Sequence, residues 1–345
     1  MAAIQSSNTI AIDCGSSSIR ALSAETGKVM CVKNCALIDK FNPSEIIALG
    51  DDAKRLEGRT SEESAFVSPI SYGAVADSEL CAMLVLSACE KAADRRRPFD
   101  KKLPAFAINV GATRVERAAL GTVSELIGAK KARFVLSPIA SAYAMGVAIE
   151  KPEATCVISL GAQVTEINII SAYRVVLSRH YKFGGDIFDR AIAEHIRKKS
   201  ALLVSADASE SIKTEFGAVT DLPEGASYRL SGLSLSTGRP GTAVFSCADV
   251  KEALEKPFNY LISCLCDALF GVPAEFSGDI LKSGICLTGG GSRLLGLGER
   301  LEKETGLKVI ASKHPENDAV KGLYKLCEKE KTVRAVIEAG SAYEI

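Results

Sequence analysis

The sequence predicts an α/β fold built as two similar halves, each a mixed sheet flanked by helices, and three observations lead there. Apolar strand-like runs alternate with helical periodicities along the whole chain, the pattern of sheets covered by helices. A short strand, a turn at a glycine and a returning strand open each half, at residues 10–22 and 157–170. After each of these hairpins comes the same plan of peripheral insertion, long helix, strand and helix, a duplication of architecture with little residue-level similarity. The halves are expected at residues 1–145 plus 320–345 and at 146–319, with small subdomains at about 33–65 and 182–245. A chain of 345 residues, 47% of them hydrophobic, can bury two cores of ordinary domain size.

In the first half, Ile10, Ala11 and Ile12 form an apolar strand ending at Asp13, Cys14 and Gly15 turn it, and residues 19–22 return. Strands at 46–49 and 65–69 bracket a charged stretch, 50–63, that reads as a small subdomain rather than core. Leu80, Met83, Leu84, Leu86 and Ala88 give a helix over 78–92. A buried strand follows at 106–110, then a helix at 114–127 with Val115, Leu120, Val123 and Leu126 turned inward, and a helix at 139–148 opened by Pro138.

The second half follows suit. Gly184, Gly185 and Asp186 precede a helix at 188–199, and another at 206–216 stops at Gly217. Val250, Leu254, Phe258, Leu261, Leu265 and Leu269 line one face of a long helix at 249–270, which Pro257 should kink. A strand at 285–288 runs into Gly289-Gly290-Gly291-Ser292-Arg293, and a helix continues to Thr305.

Composition narrows the classes of function. Lys plus Arg equals Asp plus Glu at 42 each, so net charge gives no sign of a nucleic-acid partner. Eleven cysteines without a Cys-x-x-Cys pair, beside three histidines, form neither a disulfide framework nor a zinc site. They are expected as reduced thiols, with Cys14, Cys156 and Cys286 serving as small hydrophobes in strands. Residues 1–9 lack the charged start and apolar run of a signal peptide, and no stretch reaches about 18 apolar residues, so a cytoplasmic protein is expected.

Three segments carry the chemistry. The first hairpin offers Asp13 for a metal-bound water and Gly15, Ser16, Ser17 and Ser18 for phosphate oxygens. The second, Ser159-Leu160-Gly161-Ala162-Gln163-Val164-Thr165-Glu166, turns at a glycine without a carboxylate. The third, at 288–292, lets backbone approach a ligand through its glycines. In this order and spacing, with Glu210-Ser211-Ile212-Lys213-Thr214-Glu215 on the helix between them, with 48–60 and with Phe183-Gly184-Gly185-Asp186-Ile187-Phe188-Asp189, the chain closely resembles the actin superfamily and, within it, the bacterial MreB actins. The resemblance covers nearly the whole chain.

It implies an actin-like fold with a nucleotide cleft between the halves, binding of ATP and Mg2+, and self-assembly into paired protofilaments. It further implies filaments at the inner face of the cell membrane that organise cell-wall elongation proteins and so help determine cell shape. By motif, Asp13 stands at the Mg2+ side, acting through water, and Gly15, Ser16, Ser17 and Ser18 face the β- and γ-phosphates. Gly161, Ala162 and Gln163 belong to the second phosphate turn. Glu210, Lys213 and Glu215 fall near adenine and ribose, and Gly289, Gly290, Gly291 and Ser292 near adenosine and the α-phosphate. Glu116, by its own pattern only a charge on an amphipathic helix, matches the family glutamate that positions the attacking water, and Thr165 joins it in the catalytic set.

Departures cluster at the metal. Where the family has Asp-Ile-Gly-Gly-Gly-Thr-Thr-Glu, this chain lacks the aspartate, two glycines and one threonine, and Ser137 replaces an acidic residue before Pro138. One carboxylate can still hold a hydrated Mg2+. Each lost polar group costs on the order of 3 kcal/mol, or about 100-fold in rate. Weak or absent hydrolysis is therefore expected, the alternative being that Ser159 and Gln163 substitute through water. Arg95, Arg96, Arg97, Phe99, Lys101 and Lys102 fall where the family carries a membrane-inserting loop, and a solvated basic loop is the competing reading. A further alternative is a nucleotide-independent adaptor that co-assembles with a second, more typical MreB. A small-molecule kinase lacks its aspartate base here, and a chaperone ATPase needs a peptide-binding domain that this length cannot hold.

Overall fold

The computed structural model describes residues 8–100, 102–220 and 227–345. Six strands form the first sheet, in the order Ala342–Glu344, Arg133–Leu136, Leu103–Ile108, Thr9–Cys14, Ser18–Leu22, Val29–Lys33. The three central strands run parallel, and the outer pairs are antiparallel. A parallel centre must be covered on both faces. Its side chains comply: Ile10, Ile12, Leu84, Val85, Phe106 and Phe134 lie in one buried cluster with the helix Ser78–Ala93. The second sheet runs Arg174–Tyr181, Thr165–Ser171, Thr155–Leu160, Ile285–Thr288, Val309–Ala311, its last three strands parallel. These mixed sheets with flanking helices are the expected α/β class.

By residue contacts the chain divides into two compact units, 1–154 with 168–180 and 317–345, and 155–167 with 181–316. Residues 146–154 and 168–180, expected with the second half, pack with the first unit. The two segments are bonded to each other, the Ala172 and Tyr173 amides donating to the Lys151 and Ile149 carbonyls at 2.8 and 2.6 Å. Within the first unit lies a small antiparallel sheet, in the order Ile46–Leu49, Ala36–Asp39, Ser64–Val67, with the helix Gly50–Leu56. Cys35, Leu37 and Ala53 give it a core of its own, so the charged stretch is indeed peripheral. The second unit has its counterpart in Leu202–Leu203, Ser227–Ser234 and Pro240–Ser246.

The helix Arg114–Leu126 departs from the sequence reading. Leu120 and Val123 are buried as expected, but Val115 is 79% exposed and Leu126 50%. At 3.6 residues per turn both fall roughly 120–140° around the helix from Leu120. Ile127, one position beyond the helix, completes the inward stripe instead. The long helix Cys247–Phe270 contains Pro257, and Val250, Leu254, Phe258, Leu261 and Leu265 are buried along it.

The helices Ser137–Ala144 and Asp318–Cys327 pack closely at Gly322. A Cβ on Gly322 would collide with the Ala140 carbonyl and lie 3.1 Å from the Ala144 nitrogen. Neither obstacle can yield without moving a helix. Gly322→Ala should therefore cost about 3 kcal/mol or more, well beyond an ordinary overpacking substitution. Urea unfolding should show a lower midpoint with an unchanged slope.

Candidate functional site

In the first unit, the strand Thr9–Cys14 delivers Asp13 one residue before its end, opposite Arg20 on the antiparallel side and Ala107 on the parallel side. Burial holds the Asp13 carboxyl above the usual carboxylate range, and the charge of Arg20 opposes the shift. The Gly15 amide closes the turn by donating to the Ser18 carbonyl at 3.2 Å. A Cβ on Gly15 would sit only 3.0 Å from that oxygen. The amides of Ser16 and Ser17 find no protein acceptor among the described residues, which leaves them able to meet an anion. Ser17 is exposed, whereas Ser18 is buried in the returning strand, so the expectation that its hydroxyl faces phosphate is not met.

Asn34, which the sequence reading did not single out, holds this turn in place. It is 3% exposed, and its side-chain amide donates to the carbonyls of Ser16 and Ile70 at 2.8 and 2.7 Å. Its side-chain oxygen accepts from the Ile70 amide at 3.2 Å, and its own amide donates to the Ser17 carbonyl at 3.1 Å. The Ser16 hydroxyl accepts from the Gly73 amide at 3.1 Å. Asn34 sits in the two-residue link between the strands Val29–Lys33 and Ala36–Asp39.

The second unit repeats the closure. The Gly161 amide donates to the Val164 carbonyl at 2.8 Å, and a Cβ on Gly161 would lie 2.9 Å from that oxygen. Gly15 and Gly161 are thus structural counterparts, and Ser159, two residues before the glycine, stands where Asp13 stands. Ser159 lies in parallel register with Thr288. The helix Gly185–Ser200 docks on this turn, the Gly185 and Asp186 amides donating to the Gly161 and Ala162 carbonyls at 2.9 and 2.8 Å. A Cβ on Gly184 would lie 2.5 Å from the Ala162 carbonyl, which requires glycine there.

Other predicted residues converge on the same turn. Gly291 comes within 2.6 Å of Leu160 Cγ if given a Cβ, and Gly289, at φ +84°, would collide with the Leu160 carbonyl. Gly290 is open, with nothing nearer than Glu316 Cβ at 3.8 Å. Ser292 folds back to donate its hydroxyl to the Gly289 carbonyl at 2.7 Å. From the helix Ala206–Phe216, Lys213 reaches Asp189 at 2.7 Å and the Gly185 carbonyl at 3.2 Å. It thereby ties this helix to the one docked on the turn. Glu210 is partly exposed and Glu215 exposed.

Asp189 closes the motif at 183–189. Burial pushes its carboxyl up to about 6 against the pull of Lys213, and its Oδ1 is buried without a hydrogen-bond partner among the described residues.

Several expectations need correction. Thr165 is fully buried and donates its hydroxyl to the Phe183 carbonyl at 2.7 Å, so it pins the docked segment rather than facing a reacting phosphate. Glu116, by contrast, stays a partly exposed carboxylate, which accepts from the Thr113 amide at 2.6 Å to close a capping box. Phe99 is 8% exposed and packs in the core of the first sheet, so it presents no ring to a membrane. Lys102 is sequestered as well, ion-paired to Glu25 at 2.5 Å. Lys101 lies outside the described residues. Arg95 is half-buried, and Arg96 and Arg97 remain exposed.

The unpaired Ser16 and Ser17 amides of the first turn fit a phosphate, and Asp13 gives a hydrated Mg2+ one carboxylate, while the second turn gives it none. Elsewhere His195, Asp249 and Glu252 bring ligand atoms within 4.8 Å of one another. The Lys199 ammonium already sits on Asp249, so a cation is present there in the form of a side chain. Among the described residues no helix is long and apolar enough to cross a membrane.

A model of the MreB/Mbl protein family matches residues 7–335. The cell shape-determining protein MreB of Escherichia coli strain K12 is 30% identical over 289 residues, 83% of each chain. Mbl of Bacillus subtilis strain 168 is 27% identical over 306 residues, 89% of this chain and 91% of that one. Among solved structures, MreB5 of Spiroplasma citri bound to AMPPNP superposes with a TM-score of 0.88 at 25% identity, covering 96% of this chain and 98% of that one. The MamK double helical filament gives 0.75 at 19%, covering 93% and 98%, a likeness of fold alone.

Two outcomes test the local architecture. Asn34→Ala strands the Ile70 amide and two carbonyls and should cost about 3 kcal/mol in chemical denaturation. For Asp189, the folded pKa near 6 exceeds the ordinary 3.8, so the native state binds more protons between these values. Its contribution to stability is full below pH 4 and falls by about 2 kcal/mol between pH 4.5 and 7. Asp189→Asn should flatten that decline in urea unfolding measured at pH 4.5 and 7.

Proposed function

The chain belongs to the MreB/Mbl family of cell shape-determining proteins, and from that premise we propose that it is a cytoskeletal protein that binds ATP with Mg2+ and self-assembles. The observation that carries the reading is the pair of glycine turns closed by the same amide-to-carbonyl bond, with unpaired amides at Ser16 and Ser17 in the first. The AMPPNP-bound MreB5 relative supports the nucleotide. Gly15, Ser16 and Ser17 would take phosphate oxygens by backbone amides, and Lys213 with Glu210 and Glu215 would flank the adenosine. Asp13 would hold water on Mg2+, whose charge when bound offsets that of the phosphates.

Hydrolysis is proposed to be weak. Ser159 leaves the second turn without the carboxylate that Asp13 supplies in the first, and the Ala162 and Gln163 side chains stand where the family has glycine. Nothing on that turn replaces the lost charge. The basic loop enters the proposal only through Arg95, Arg96 and Arg97, worth roughly 1 kcal/mol each beside an anionic leaflet. Self-assembly would sum such contacts along a filament. Organisation of cell-wall elongation proteins at the inner membrane completes the proposed role. The missing carboxylate also favours a second reading, a non-hydrolysing partner that co-assembles with a typical MreB.

One preparation separates these readings. AMPPNP with Mg2+ should raise the melting temperature, since a ligand bound only to the native state stabilises it. Pelleting with ATP should recover polymer while phosphate release stays near background. The triple variant Ser159→Asp, Ala162→Gly, Gln163→Gly should raise release by about 100-fold or more. Brisk release by the unaltered protein overturns the hydrolysis reading, and no thermal shift with AMPPNP favours the nucleotide-independent partner.

A further inference from the structure

The first unit contains a cavity of about 350 Å³ to which neither hairpin contributes. Val110, Arg117, Leu136, Arg174, Ser341 and Tyr343 are in its wall, and no lining residue carries a carboxylate. Arg117 projects from the first turn of the helix Arg114–Leu126, and its Nε donates to the Ala112 carbonyl at 3.1 Å. Its guanidinium lies 5.9 Å from the centroid of the Tyr343 ring. That ring ends a column in which Tyr343 stacks on Phe134 at 4.9 Å and Phe134 on Phe106 at 5.3 Å. One wall of the cavity is therefore rooted in the sheet core.

Arg174 arrives by an unusual turn. Ala172 and Tyr173, immediately before it, both have positive φ, 45° and 64°, a backbone that hairpins ordinarily give to Asn and Gly. Such a conformation costs roughly 1–2 kcal/mol per residue and persists only when neighbours hold it. Here the Ile149 and Lys151 carbonyls do so. The strained turn fixes where Arg174 leaves the backbone, at the cavity wall.

Neither guanidinium has a carboxylate partner among the described residues. Glu116, next to Arg117 in sequence, accepts from the Thr113 amide at 2.6 Å, and Glu344, next to Tyr343, alternates to the other face of its strand and pairs with Arg133 at 2.6 Å. The Tyr343 hydroxyl is likewise buried without a partner among the described residues. The wall thus offers two planar cations and apolar surface from Val110, Leu136 and Val175, with no anion to complete it. Guanidinium forks match carboxylate and phosphate oxygens bidentately, and the volume falls in the range of small-molecule sites.

We propose that this cavity binds a small organic anion, carrying either two carboxylates or a phosphate ester, gripped by Arg117 and Arg174 with its carbon skeleton against Val110, Leu136 and Val175. The full chain would be titrated calorimetrically with citrate, with glycerol 3-phosphate and with glycerol as the neutral control. One-to-one saturable binding of at least one anion at about millimolar Kd or tighter is expected, with none for glycerol. Citrate alone identifies a carboxylate ligand, glycerol 3-phosphate alone a phosphate ester. Arg174→Ala and Arg117→Gln, each checked for an unchanged circular dichroism spectrum, should weaken binding at least tenfold while leaving AMPPNP binding intact. The proposal is overturned if neither anion saturates below about 10 mM, or if both variants bind as the unaltered protein does. Because AMPPNP is measured separately, failure here leaves the nucleotide reading standing, and the reverse also holds.

Discussion

An amide that donates to the carbonyl three residues on, at Gly15 and again at Gly161, sets the geometry around which each unit's candidate residues gather. The bond is short-range and the glycine leaves no room for a Cβ against the accepting oxygen, so the turn has one shape. Everything nearby adjusts to that shape. In the first unit the Asn34 side chain grips the turn from below, and in the second the amides at the start of the helix Gly185–Ser200 bond its carbonyls. These helix amides are spent on protein, so the second turn is held by the helix end rather than sharing it with an anion. The two solutions differ in chemistry while serving the same constraint.

A difference in function follows from what each turn carries rather than from how it is made. Asp13 and Ser159 occupy corresponding places two residues before the glycine, and only one can bear charge. The second unit has meanwhile kept its fastening: Thr165 on the Phe183 carbonyl, Lys213 on Asp189, and Gly184 against Ala162. The second turn thus keeps a full set of supports while carrying no carboxylate.

Much of this was legible in the chain. Alternating apolar runs and glycine turns located both hairpins, the helix Ala206–Phe216 and the strand Ile285–Thr288 to the residue or nearly so, because local pattern and tertiary burial agree there. What escaped was whatever depends on a partner distant in sequence. Phe99 looked like an exposed ring among arginines and is a core residue, because the short 3₁₀ turn at Pro98–Asp100 tucks it beneath the first sheet. Val115 looked inward because a periodic pattern does not announce its phase, and here Ile127 sets it from outside the helix. Asn34 and Asp189 matter through bonds spanning 36 and 24 residues, which no local window contains.

The order of the chain within the fold has a consequence for its synthesis. The residues of the second unit, 155–167 and 181–316, are interposed within those of the first. The first sheet takes its edge strand from Ala342–Glu344, and the helix Ser137–Ala144 takes its partner from Asp318–Cys327. A nascent chain therefore has every residue of the second unit available while the first still lacks a strand and a helix. The unit begun first on the ribosome is finished last, and until then Ile139, Ala140 and Phe134 wait for the residues that will cover them.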